Sequence, residues 1–136
     1  MYNTIIVPVE MSHAEKASPM LAAARQLGGD QAQIVLVSVV EDVPTYVAAE
    51  LPGGVIDKAK QSAKEKLEEI AREAGGNTEV EVRSGQASAV ILGVAKEKRA
   101  DAIVIASHRP GLADYLLGST AARVVRHAPC SVLVIR

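Results

Sequence analysis

Residues 100–136 read ADAIVIASHRPGLADYLLGSTAARVVRHAPCSVLVIR, and this stretch decides the fold. It opens on the apolar run Ala102-Ile-Val-Ile-Ala106, whose length and β-branched content predict a strand buried on both faces. The run breaks abruptly into small and polar residues. Gly118-Ser119-Thr120 then opens an amphipathic segment that predicts a helix ending before Pro129, and a last strand follows over 131–135. A helix start built from Gly, Ser and Thr leaves backbone N–H groups and hydroxyls uncovered, the local equipment for holding an anion such as phosphate.

Outward from this stretch the same alternation repeats. Residues 4–9, TIIVPV, predict a buried strand that stops pairing near Pro8, which has no N–H for a ladder, and Glu10 and Met11 sit at its C-terminal mouth. Ser12 followed by Glu15 has the spacing of a capping box and predicts a helix start, with Ala17, Met20, Leu21, Ala24 and Leu27 at helical spacing before Gly28-Gly29. Within that helix Pro19 costs a hydrogen bond and adds a kink unless the first turn begins later. Residues 33–40, QIVLVSVV, predict a central strand.

The pattern dissolves over 41–54, where two prolines and a Gly pair predict a long surface connection. Tyr46 and Leu51 in it read either as a lid or as packing in a dimer contact. Residues 55–74 carry Ile56, Ala59, Ala63, Leu67, Ile70 and Ala74 on one face of the longest amphipathic helix, closed by Gly75-Gly76. Residues 79–83, EVEVR, alternate polar and apolar as a half-exposed edge strand does, and a further helix is predicted over 87–98.

Strands alternating with helices predict an α/β fold: one domain spanning residues 1–136, an open parallel five-stranded sheet of order 3-2-1-4-5 with helices on both faces, Rossmann-like in type. Winding in that order reverses between the first and fourth strands, and ligands of such sheets bind outside the strand C-termini at the reversal. Pro8, Val9, Glu10, Ala106, Ser107 and His108 fall there, with Gly118 and Ser119 facing the same crevice.

Composition narrows the function. A length of 136 residues suits one domain and one core. The formal net charge of −1, with both signs mixed along the chain, excludes a nucleic-acid groove. The longest apolar runs are strand-sized, far below the ~20 residues of a membrane-spanning helix, and residues 1–10 lack a signal peptide's pattern, so no membrane association and a cytoplasmic location are expected. A single cysteine, Cys130, excludes an internal disulfide framework and reads as packing.

The segments VPVE, IVIASHRPGLADYLLGST and RVVRHAPCSVLVIR together resemble the universal stress protein family, and the resemblance in layout covers the whole chain. Many nucleotide-binding members carry Gly-x-x-Gly, nine residues, then Gly-Ser or Gly-Thr. Here the second element is Gly118-Ser119, whereas Ala106 stands for the first Gly and only eight residues separate Arg109 from Gly118. The Ala-Ser-His-Arg-Pro form is similar to the F-type branch of bacterial stress proteins. The resemblance implies an adenine nucleotide, ATP, ADP or AMP, with Mg2+ accompanying it.

Position by position, it implies that the backbone of Val39 meets the adenine edge, that Pro8 and Val9 flank the base, and that Glu10 takes the family's ribose-side Asp position with one extra methylene. Gly118, Ser119 and Thr120 would supply N–H and hydroxyl groups to the phosphates, with Ser107, His108 and Arg109 closing over them. A homodimer through Val132, Leu133, Val134 and Ile135 follows from an unprotected apolar edge strand and from the resemblance, which also implies tetramers.

Other readings stand beside these. On residue types alone Gly118-Ser119-Thr120 is an ordinary helix start, and Arg109-Pro110 a solvated loop corner. His108 lacks a second His, Cys or carboxylate at a recognisable spacing, so neither a metal nor a nucleophile-base pair is expected. A receiver domain lacks its acidic pair, Asp and Lys; a flavin carrier is excluded by an aromatic content of 2%; and no Gly-x-x-x-x-Gly-Lys occurs. A stress protein acting by nucleotide binding and assembly with an unknown protein partner therefore leads. The alternatives are a slow ATPase or phosphoryl-transfer enzyme, for which Glu10 and Asp114 are the nearby carboxylates, and a nucleotide-independent oligomeric scaffold.

Overall fold

The computed structural model describes residues 2–41, 45–107 and 117–136. The strands are β1 (Thr4–Pro8), β2 (Gln33–Glu41), β3 (Thr78–Gly85), β4 (Ala102–Ala106) and β5 (Ser131–Ile135). The helices are α1 (Ala17–Gly28), α2 (Thr45–Ala48), α3 (Val55–Ala74), α4 (Ala87–Glu97) and α5 (Ser119–His127), with a 3-10 turn over Met11–Lys16. The strands form one five-stranded parallel sheet in the order β3-β2-β1-β4-β5, as the sequence pattern predicts.

Each central strand is buried on both faces, and period-two alternation divides its side chains between two cores. One core joins Ile5, Val7, Ile34 and Leu36 to Met20 and Ala24 of α1 and Leu67 of α3. The other joins Ile6, Val35, Val37 and Ile103 to Ile91 and Val94 of α4 and Ala121 and Val124 of α5. Cys130 packs at the rim of this second core, and burial, helped by the charge of Asp101, raises its thiol pKa.

The capping-box expectation is corrected. Ser12 caps nothing: Met11–Lys16 is a 3-10 turn broken by His13 at φ −133°, and the α-helix starts only at Ala17. A continuous helix from Ser12 would set the Pro19 ring against the Glu15 carbonyl. Starting at Ala17 leaves Pro19 in the first turn, where no N–H is needed, so no kink arises. The predicted apolar stripe of α3 also narrows: Ala63 and Leu67 are buried, whereas Ala59 and Ala74 are exposed. The connection after β2 contains the one-turn α2, and Tyr46 within it is 75% exposed.

Arg25 ties the two C-terminal helix ends on one face. Its guanidinium donates to the Ala32 carbonyl at 2.9 Å, the Thr78 hydroxyl at 3.2 Å and the Gly75 carbonyl at 3.3 Å, linking the turn after α1 to the turn after α3. At the same N-terminal edge of the sheet, the Asp101 carboxylate accepts the N–H groups of Asn3 at 2.7 Å and Thr4 at 2.9 Å. The two sheet edges differ in chemistry. On β3, Arg83 pairs with Glu81 and Glu97 while Lys98 pairs with Glu79 and Glu81, whereas β5 presents Leu133, 37% exposed, and carries no charged residue.

Candidate functional site

All strands are parallel, so their C-terminal ends and the N-termini of the following helices share one edge of the sheet. At the reversal between β1 and β4 lies a cleft of about 390 Å3. Its floor comes from strand tips. Alternation sets Val37, Val39 and Glu41 in one file along β2, the first two packed in the α4–α5 core, and Ile91 of α4 with Ile105 of β4 completes an apolar slot. Val9 and Ala106 belong to the other file and approach the cleft beside Met20.

Pro8, Val9, Glu10, Val39, Ala106, Gly118, Ser119 and Thr120 all line the cleft, so the structure brings together strand ends that are far apart in sequence. Ser107 does not line it. Instead its Oγ accepts the Gly118 N–H at 3.3 Å and its own N–H donates to the Ile135 carbonyl at 2.8 Å, which fixes the start of α5 against the end of β4. His108, Arg109 and Asp114 lie outside the described residues. Neither Tyr46 nor Leu51 is among the lining residues.

Sequence reasoning missed His13, Lys16, Glu41, Ala87 and Ile91, which also line the cleft. Three of these carried a readable signal: Glu41 lies two residues past Val39 on the same strand face, and His13 and Lys16 follow β1 at the sheet edge where ligands bind. Ala87 and Ile91 are an ordinary apolar helix pair until the packing of α4 is known.

Helix termini supply the polar part. At α5 the extended Gly118 precedes the helix with no side-chain cap, and the first helical bond runs from the Ala122 N–H to the Gly118 carbonyl at 2.9 Å. The N–H groups of Ser119, Thr120 and Ala121 therefore have no acceptor within the helix. At α4, by contrast, the Gln86 side chain accepts the Ala89 N–H at 2.8 Å and so caps its own helix. The charged lining is Glu10, Glu41, Lys16 and His13, whose Nδ1 is 3.6 Å from Glu15. Glu15 is held below its ordinary pKa, first by a hydrogen bond from its own backbone and then by His13 and Lys16.

An adenine nucleotide fits this donor set. The apolar slot between Val39 and Ile91 suits a planar base, and the uncapped start of α5 offers N–H groups for phosphate. Among the described residues no group of three or more His, Cys, Asp or Glu could hold a metal ion, and no helix is long and apolar enough to cross a membrane.

The comparisons agree with this architecture. The sequence model of the universal stress protein family matches residues 1–136. Universal stress protein G of Escherichia coli O157:H7 is 30% identical over 142 residues, covering 100% of this chain and 100% of that protein. Among solved structures, universal stress protein UspA from Lactobacillus plantarum superposes with a TM-score of 0.80 at 25% identity, covering 99% of this chain and 98% of that one. The universal stress protein from Archaeoglobus fulgidus in complex with dAMP gives a TM-score of 0.68 at 22% identity over 99% and 98% of the two chains, a likeness of fold. With its whole length matched by the family's pattern, the chain belongs to the universal stress protein family.

Proposed function

We propose that this chain binds an adenine nucleotide in the cleft at the tips of β1, β2 and β4 and acts by binding and assembly in the cytoplasm, without rapid turnover. The observation that carries this reading is the pairing of an apolar slot with the uncapped start of α5 in one cleft. That a protein of the same fold was solved with dAMP supports it. The base would lie against Val39, Pro8 and Val9, the ribose beside Glu10, and the phosphates at Gly118, Ser119 and Thr120. ATP with Mg2+ is the ligand proposed, and Ala106 in place of glycine is the mark of the F-type-like loop.

Assembly is proposed through β5, which pairs only with β4 and leaves a free apolar edge. The ion pairs along β3 disfavour the other edge.

Mass spectrometry of the purified chain under native conditions, with an ATP titration, tests the binding reading. A retained mass of one nucleotide per chain is expected, and loss of it in a variant carrying Gly118→Val and Ser119→Ala. No affinity for ATP, ADP or AMP would overturn nucleotide binding and leave an oligomeric scaffold.

A further inference from the structure

Three helix N-termini converge on the cleft, and they are treated differently by the sequence. α4 is capped by Gln86, α5 starts at Gly118 with no side-chain cap, and α1 starts after Lys16, again with no side-chain cap. Lys16 closes the 3-10 turn and stands immediately before α1, with helical backbone angles, so its cation lies at the edge of the cleft where α1 begins.

The charges lining the cleft are unbalanced. Glu10 and Glu41 contribute two carboxylates, and His13 lies beside Glu15 at 3.6 Å. Lys16 is the one lysine or arginine lining the cleft among the described residues, and its charge also acts on the neighbouring Glu15. A terminal phosphate brings about −1.5 to −2 charges, which a cleft of net negative lining would repel.

We infer that Lys16 is a phosphate-binding residue of this cleft, the cation that offsets Glu10 and Glu41 and makes the site accept polyphosphate nucleotides over the nucleoside. The inference rests on the nucleotide reading above. Lys16 reaches the cleft from the α1 side and the N–H groups of Ser119 and Thr120 from the α5 side, so the phosphates are held between two helix starts.

Isothermal titration of the full chain with adenosine, AMP and ATP tests it. Lys16→Gln is expected to weaken ATP by about ten- to a hundredfold, the range for losing a charge-assisted hydrogen bond, with AMP affected less and adenosine unchanged. Lys16→Arg retains ATP binding, and the salt dependence of ATP affinity flattens in Lys16→Gln. Unchanged ATP affinity in Lys16→Gln overturns the inference while the nucleotide reading stands. Equal weakening of adenosine and ATP also overturns it, because the residue would then be structural. Failure of the unaltered chain to bind either ligand overturns the nucleotide reading, and this inference with it.

Discussion

The Ser107 hydroxyl accepts the Gly118 N–H at 3.3 Å, eleven residues apart in sequence, and so closes the base of the loop that separates β4 from α5. Gly118 is buried as a residue, so loss of that acceptor removes a bond that holds its N–H in place. Ser107→Ala should destabilise the fold by about 1 kcal/mol and weaken ATP retention, because the start of α5 is no longer held at the cleft. Urea unfolding and native mass spectrometry read the two effects; an unmoved urea midpoint removes the strut.

Asp101 is the second strut. Its carboxyl is held below the ordinary 3.8, first by the Thr4 N–H and then by the Asn3 N–H. A lowered folded-state pKa contributes stability above the ordinary value and loses it as pH falls through the lowered one. Acid unfolding should therefore bring a loss below about pH 4 that Asp101→Asn abolishes. Parallel pH curves for the two proteins would sink this assignment.

The helix ends on the α1–α3 face predict two costly substitutions. Gly28→Ala sets a methyl 2.7 Å from the Tyr2 carbonyl, a backbone atom that cannot step aside, and should cost about 1–3 kcal/mol. Arg25→Ala removes donors from the Ala32 and Gly75 carbonyls and from the Thr78 hydroxyl, with an expected loss of about 1–3 kcal/mol. Thermal melts followed by circular dichroism check both, and a Tm within error of the parent in either case contradicts the packing described.

The edge of β5 predicts assembly. Val132 and Val134 pack against the α4–α5 core, so an acidic residue at either position would unsettle the monomer as well as any interface. Leu133 is exposed and is the cleaner probe. Leu133→Asp should give folded monomers in analytical ultracentrifugation where the parent is dimeric. A dimer that survives the substitution places the interface elsewhere.

Much of this architecture was legible in the residues. The runs IIVP, QIVLVSVV and AIVIA are apolar on both faces because the strands they form are central, and EVEVR alternates because β3 is an edge. The capping pair Ser12 and Glu15 misled, since a local spacing was outweighed by Pro19 four residues after Glu15, whose ring the helix could not admit further from its start. In the cleft, Glu10, Val39 and Gly118 were readable from their places at strand ends and a helix start. Ile91 was not, because its apolar type serves core and ligand alike.

By itself the sequence determined the element order, the parallel sheet and its reversal between β1 and β4, since period, turn residues and the handedness of crossovers leave little choice. Only the tertiary structure decided which side chains meet at that reversal. It turned Ser107 from a lining residue into a strut, brought Lys16 and Glu41 to the cleft and aimed Val134 inward and Leu133 outward. These outcomes depend on the register of the strand tips and on where each helix begins, and both are set by long-range packing that no local pattern encodes.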